Sequence, residues 1–325
     1  MKVLVTGGSG FIGTRLIDEL LQDGHEVTIY DKQPSKKYPD IVVLADVRDE
    51  EALTKASKGM DVIYNLAAEH ADNVTPLSLY EEVNVGGAKN VVKAAEANGI
   101  KKIIFTSSVA IYGLNRGEPD ESFEAQPFNE YGRTKYEAEK VFIKWQESSD
   151  ENSLVMIRPS VIFGENNRGN VYNLMSQIKS GRFIMVGDGE NRKSMGYVGN
   201  IAKLLSSLID SKEGITIYNF ADKPDLKSIE IVNIIRDELG YDEIKTKIPY
   251  SIGILGGYTF DLLSKLTGKK FPVSSIRIKK FTADTTISTK KLQQSGFKPP
   301  YTLEEGLRNM VKSEFLQNNK VNSVS

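Results

Sequence analysis

The sequence predicts an α/β fold, a doubly wound parallel sheet with a smaller C-terminal α/β lobe, and three observations carry that prediction. Short apolar runs alternate with stretches at helical spacing through the first half of the 325 residues. A glycine-rich turn, Thr6-Gly7-Gly8-Ser9-Gly10-Phe11-Ile12-Gly13, joins the first apolar run to the first helical one. The second run ends on an acidic residue, Asp31. Beyond Pro159 the alternation weakens, so we expect a Rossmann-type domain over 1–164 and a mainly separate lobe over 165–325.

Val3-Leu4-Val5 reads as the first strand, and strand, glycine turn, helix is the order that a dinucleotide pyrophosphate requires. Gly7 turns the chain off the strand, Gly10 lets backbone N–H groups approach the phosphates, and Gly13 lets the helix lie close to the sheet. Gly7, Gly10, Phe11, Ile12 and Gly13 are therefore candidate cofactor contacts. Glu26 to Tyr30 is the second strand, and Asp31 stands where an acidic residue reads the adenosine ribose, with Lys32 beside it. A carboxylate accepts from a 2′-hydroxyl and repels a 2′-phosphate, so the pattern favours NAD over NADP.

Ile41 to Ala45 is the third strand, and Asp46-Val47 at its carboxyl end fit an adenine contact or, equally, a helix-start carboxylate and a core valine. The fourth strand runs through Asp61 to Ala68, where Leu66, Ala67 and Ala68 let the nicotinamide half of a cofactor pass close by. His70 follows it. Tyr80 to Asn98 has helical spacing and stops at Gly99, with Asn84 inside it as a holder of neighbouring backbone. Lys102 to Thr106 is strand five, followed by Ser107-Ser108 and Tyr112-Gly113; a helix from Tyr131 to about Trp145 carries Lys135, and Leu154 to Ile157 is strand six. Later come a helix over Val171 to Lys179, a short strand over Phe183 to Val186, and a helix near Asn200 to Leu208 that should pack back on the first domain. A strand over Thr216 to Phe220, a helix near Ile229 to Leu239 and the final stretch are assigned to the smaller lobe, with a frayed tail after Phe315.

Composition excludes several classes. The 42 basic and 43 acidic residues give a formal net charge of -1, so no global field recruits nucleic acid. Without cysteine there is neither a disulfide nor a thiolate metal site, and two histidines, His25 and His70, leave little for an imidazole site, so no metal is expected. No uncharged apolar run reaches about 18 residues and the first strand begins at once, so folding in the cytoplasm without a membrane span is expected.

Tyr131 and Lys135 lie one turn apart on one helix face, after the strand whose carboxyl end carries Ser108. A phenol near its usual pKa of 10 is a poor base at neutral pH, and a neighbouring ammonium together with an oxidised nicotinamide should favour the phenolate. Ser108 can donate to a developing carbonyl oxygen and Lys135 can hold the nicotinamide ribose, a set suited to hydride transfer between alcohol and ketone.

Thr6 to Gly13, Asp31, Asp46-Val47, Leu66-Ala67-Ala68, Ser107-Ser108 with Tyr112-Gly113, Tyr131 with Lys135, and Arg158-Pro159 with Phe163-Gly164 together resemble the extended short-chain dehydrogenase/reductases of the NAD-dependent epimerase/dehydratase family. The resemblance implies Ser108, Tyr131 and Lys135 as catalytic residues, and Tyr131, Lys135 and Pro159 as further NAD contacts. Dehydratases of the family place an Asp-Glu pair directly after the catalytic hydroxyl; Val109-Ala110 stand here, which points to 4-epimerisation of a sugar. His70, Ser107, Ser108, Asn170, Lys193 and Arg277 are candidate substrate contacts, Lys193 where relatives place a phosphate-binding arginine. Homodimers through a helix pair are implied as well. A 4-keto-sugar reductase, or a non-catalytic NAD-sensing protein on the same fold, remains an alternative.

Ile248 to Leu263 is unusually apolar and glycine-rich, and Lys265, Lys269, Lys270, Arg277, Lys279 and Lys280 follow it. Such a segment suits shallow binding at a membrane surface, but the residues alone favour a helix that buries its apolar face in the lobe. Asp31-Lys32-Gln33, Ala67 to His70, Gly169 to Leu174, Asp222 to Leu226 and the Leu255 to Phe281 stretch resemble family members that act on N-acetylhexosamines carried on undecaprenyl diphosphate for surface polysaccharide synthesis. That resemblance implies a polyprenyl-diphosphate-linked substrate and peripheral attachment through about 248–281 to the inner face of the cytoplasmic membrane; a UDP-linked sugar stays open as the other substrate.

Overall fold

The structure is a computed structural model that describes residues 1–71, 74–114, 116–211, 214–269 and 274–317. Lys270 of the basic segment and the tail beyond 317 lie outside the described residues. The chain forms two compact units, one made of Met1–Ile162, Val198–Ala221 and Ile287–Pro300, the other of Phe163–Tyr197, Asp222–Thr286 and Tyr301–Ser325. A single cut at 164/165 therefore does not describe them, because two later segments return to the first unit.

The first unit is a seven-stranded parallel sheet in the order β7-β6-β5-β4-β1-β2-β3, with β1 Lys2–Thr6, β2 Glu26–Asp31, β3 Val42–Leu44, β4 Val62–Asn65, β5 Lys102–Thr106, β6 Ser153–Pro159 and β7 Gly214–Phe220. Helices cover both faces, so central strands read as continuous apolar runs, and Val3, Leu4 and Val5 are all fully buried. On one face pack α1 (Phe11–Gln22) and α5 (Val198–Ser207), on the other α2 (Glu50–Ala56), α3 (Gly87–Asn98) and α4 (Glu130–Gln146). Helix α5 is tied to α1 and the sheet by Ser206 Oγ donating to Asp23 at 2.7 Å, a Lys203–Glu19 ion pair at 3.0 Å, and the Tyr64 hydroxyl donating to the Leu205 carbonyl at 2.9 Å. The strand order reverses between β1 and β4, and at such a switch point the two strand ends diverge into a crevice for a ligand.

Strand β7 corrects the assignment of Thr216–Phe220 to the smaller lobe. It pairs with β6 in register from Gly214↔Ser153 to Phe220↔Pro159, satisfying the backbone edge that a six-stranded sheet would leave open beside seven buried residues.

In the second unit, the strand Arg192–Tyr197 runs antiparallel to Asp222–Lys227, and the predicted strand at 183–186 shortens to Met185–Val186, parallel to Lys247–Ile248. The helix Leu303–Val311 begins in a capping box between Thr302 and Glu305. Its Gly306 lies so near the Tyr197 ring that a Cβ would come within 2.7 Å of it. Two further helices, α6 (Tyr250–Thr267) and α7 (Ser275–Thr282), form a hairpin. Helix α6 overturns the expectation of a buried apolar face: among its residues only Gly257 is buried, and its leucines face outward.

Candidate active site

The glycine turn at the end of β1 is shaped by close approaches that exclude side chains. Gly7 has φ +71°, its N–H donates to the Tyr30 carbonyl at 2.9 Å, and a Cβ there would lie 2.6 Å from the Ala67 nitrogen. A Cβ on Gly13 would stand 2.5 Å from the Gly7 carbonyl oxygen, so only glycine lets α1 start this close to the strand. Phe11 and Ile12 contribute first-turn amides, which a helix leaves without intrahelical acceptors and at its positive end. Ser9 Oγ is buried with no partner among the described residues. Asp31 is oriented beside this turn by two backbone donors, Ser9 N–H at 3.0 Å and Gln33 N–H at 2.9 Å. A cradle closed to any Cβ, an unpaired buried hydroxyl and a fixed carboxylate at the end of β2 fit a dinucleotide with a free 2′-hydroxyl.

Other candidate cofactor residues line the same strand ends. Leu66 N–H donates to the Thr6 carbonyl at 3.0 Å, and Ala67 and Ala68 follow; Pro159 ends β6. Lys32 pairs with Glu69 at 3.8 Å. Asp46 already has a local partner: Arg48 grips it at 2.9 and 3.0 Å and holds its carboxyl below the usual carboxylate range. Val47 is buried against Gly87, where a Cβ would approach to 2.9 Å.

Ser108 lies two residues beyond β5 and caps the short turn Val109–Tyr112, its Oγ accepting from Ala110 N–H at 3.1 Å and keeping its proton to donate. Asn129 caps α4 by accepting from Gly132 N–H at 2.9 Å, and a Cβ on Gly132 would lie 2.5 Å from the Ala110 carbonyl. The first turn of α4 is thus pressed against the Ser108 turn, which sets the Tyr131 phenol beside the Ser108 side chain. Burial pushes the Tyr131 phenol up, and the neighbouring Ser108 side chain opposes that rise. Lys135, 2% exposed, has its ammonium pushed down to about 7 by burial, with Glu139 acting the other way, and its Nζ lies 4.3 Å from the Phe105 ring centroid. Desolvation favours the neutral form of both groups and outweighs their neighbours.

Behind Lys135 lies a network that the sequence reading missed. Glu139, fully buried, accepts from Arg158 at 2.9 and 2.8 Å; Arg158 also donates to the Tyr112 hydroxyl at 2.9 Å, and Tyr112 donates to Asn219 at 2.7 Å. The available signal was an acid four residues after Lys135, on the face that continues to Phe142. Asn84 acts on backbone as expected. From a π-helical stretch, Glu81–Gly86, it donates to Thr134 Oγ1 at 2.9 Å and to the Glu69 carbonyl at 3.1 Å, and accepts from Glu69 N–H at 2.8 Å.

Of the candidate substrate residues, Ser107 and Ser108 directly follow β5, and Ser107 Oγ is buried without a partner among the described residues; so is Ser160 Oγ, just after β6, which sequence reasoning passed over. His70 is exposed, its backbone N–H on Glu69. In the second unit, Asn170 starts the helix Asn170–Lys179, and Arg277 lies exposed in the first turn of α7. Lys193 departs from the phosphate-binding expectation: burial pushes its ammonium down to about 8, and it donates to the Lys280 and Ala283 carbonyls at the end of α7. Among the described residues no three His, Cys, Asp or Glu side chains gather to hold a metal.

Residues 3–221, the stretch that contains this cradle and the Ser-Tyr-Lys group, match the Epimerase model of the NAD dependent epimerase/dehydratase family, and the chain belongs to that family. It is an NAD-dependent enzyme of the extended short-chain dehydrogenase/reductase type. More particularly, it is 50% identical over 321 residues, 98% of this chain and 97% of the relative, to the N-acetyl-alpha-D-glucosaminyl-diphospho-ditrans,octacis-undecaprenol 4-epimerase of Escherichia coli O157:H7. The solved UDP-N-acetylglucosamine 4-epimerase from Methanobrevibacter ruminantium, in complex with UDP-N-acetylmuramic acid, superposes with TM-score 0.73 at 27% identity, covering 96% of this chain and 97% of that one. The UDP-glucose 4-epimerase of Thermus thermophilus, solved in complex with NAD, shares the fold at TM-score 0.73 and 23% identity, covering 96% and 98%.

Proposed function

We propose that this enzyme interconverts N-acetylglucosaminyl- and N-acetylgalactosaminyl-diphospho-undecaprenol by inverting C4 through a transient 4-keto sugar. The observation that carries the chemistry is the packing of the first turn of α4, with Tyr131, against the Ser108 turn, with Lys135 buried one turn along α4 and a cradle that fits NAD at the ends of the same sheet. The lipid carrier is supported by 50% identity extending over the second unit as well as the first. Such a carrier puts the reaction at the inner face of the cytoplasmic membrane.

Gly7, Gly10, Phe11, Ile12 and Gly13 would hold the pyrophosphate, Asp31 the adenosine ribose, and Lys135 the nicotinamide ribose. Bound NAD supplies the redox chemistry, accepting and returning a hydride at C4. Tyr131 takes the proton of the 4-hydroxyl as the alcohol becomes a ketone, and returns it when the ketone is reduced on its other face. Ser108, its Oγ already oriented by Ala110 N–H, donates to the oxygen on which charge develops. Burial alone keeps Tyr131 a phenol, so its action as a base requires positive charge brought close in the desolvated site, from protonated Lys135 or the oxidised cofactor. Val109-Ala110 supply neither the acid nor the base that dehydration needs.

The test is incubation of the purified enzyme with undecaprenyl-diphosphate-linked or UDP-linked N-acetylglucosamine, each with catalytic NAD, followed by hexosamine analysis. Galactosamine from the lipid-linked sugar is expected. Turnover of the UDP form alone would remove the lipid assignment, and stoichiometric NADH consumption would make the enzyme a reductase.

A further inference from the structure

Helix α6 is built inside out for a surface helix. Gly253 and Gly257, one turn apart, form its inward face: a Cβ on Gly253 would reach 2.3 Å from Val186, and one on Gly257 would come 2.8 Å from the Ser275 backbone. The hairpin with α7 is closed by Asp261, whose carboxylate accepts from Ser275 N–H at 3.1 Å. Ile252, Leu255, Thr259, Leu262 and Leu266 recur at spacings of three and four and so share one stripe. Helical geometry sets that stripe diametrically opposite Gly257. Its apolar members are 61, 67, 58 and 73% exposed in chain order. The adjoining α7 exposes Ile276 as well.

Small residues inside and leucines outside bring α6 close to the unit while leaving hydrocarbon in solvent. An apolar ridge of this length marks an interaction surface. Its charge selects the occupant. Among the described residues of 250–282 there are five cations, Lys265, Lys269, Arg277, Lys279 and Lys280, and one anion, Asp261, which already caps α7. A second copy docked on the same stripe would bring the two cation sets together, whereas an anionic lipid leaflet pairs with them. No described helix is long and apolar enough to cross a membrane, so the fitting geometry lies along the surface.

We propose that α6 rests in the headgroup region of an anionic membrane, with Ile252, Leu255, Leu262 and Leu266 as wedge and the flanking lysines as electrostatic anchor. This extends the reading above from a lipid-linked substrate to the surface that meets the lipid, and its test is independent of the sugar.

The NAD-loaded full chain is sedimented with phosphatidylcholine vesicles containing or lacking phosphatidylglycerol, and no polyprenyl lipid. Binding to the anionic vesicles is expected, weakening as salt rises. The triple variant Leu255→Ser/Leu262→Ser/Leu266→Ser should lower partitioning at least about tenfold and Lys265→Gln/Lys269→Gln several-fold. If the triple variant lowers the melting temperature, Leu266→Ser alone is read instead. Variant binding equal to wild type overturns the proposal, as does a wild-type dimer that ignores vesicles and dissociates in the triple variant, which would assign the stripe to a second copy. Turnover of lipid-linked sugar in detergent, measured on the same proteins, reports on the proposed reaction separately.

Discussion

Helices α4 and α6 have nearly equal length and opposite errors of placement. The first hides charge, with Lys135 2% exposed and Glu139 fully buried; the second displays hydrocarbon, with Leu266 73% exposed. An ordinary surface helix does neither. Each departure has a compensating partner for only part of its cost. Glu139 is neutralised by Arg158, but among the described residues Lys135 has no comparable acceptor and its ammonium is pushed down to about 7. Helix α6 recovers contact through two glycines, but the described residues of its unit leave the leucine stripe uncovered. The unpaid remainder in each helix marks the place where a ligand or surface is to be met.

Breaking the comparison at α4 gives the largest effects. Tyr131→Phe removes the proton acceptor and should lower turnover by about a thousandfold with NAD binding retained; a variant keeping more than a tenth of wild-type activity would mean that α4 buries its polar groups for structure alone. Lys135→Met should also abolish most activity, yet stabilise the protein on its own at neutral pH, on the order of 4 kcal/mol at most. The sign follows from a folded-state value near 7 and an unfolded one near 10.5. Below pH 7 the wild-type lysine is charged in both states and its burial cost is full, and as pH rises toward 10.5 that cost vanishes. Melting temperatures of the pair should therefore converge between about pH 7 and pH 10, and an unchanged gap would contradict the burial argument. Glu139→Ala leaves the Arg158 guanidinium buried without its carboxylate and should cost about 3 kcal/mol in denaturant unfolding. The smallest effect on stability belongs to α6. Leu255→Ser or Leu262→Ser should change unfolding free energy by less than about 0.5 kcal/mol, and a larger loss would show that the stripe is covered in solution.

Much of the site was legible because it is local. Strand, glycine turn and helix follow one another within 13 residues, and Tyr131 and Lys135 are one helical turn apart. Each geometry follows from short-range sterics, as the near-contacts at Gly7 and Gly13 confirm. What escaped the sequence involved a choice among distant partners. Lys193 carries the charge of a phosphate ligand, but the end of α7, nearly ninety residues on, offers it carbonyls. Glu139 reads as one more helix acid until Arg158 on β6 is seen to reach it.

The sequence by itself determined the dinucleotide cradle, the preference for NAD, the Ser108, Tyr131 and Lys135 constellation and the parallel sheet that carries them, because turn sterics, helical period and runs of apolar residues act over a few residues. Only the tertiary structure decided that Gly214–Phe220 extends the main sheet, that burial raises the Tyr131 pKa and lowers that of Lys135, and that α6 turns its leucines outward. Those outcomes depend on desolvation and on which distant surfaces meet, and an apolar stripe has the same sequence whether it faces the core or the solvent.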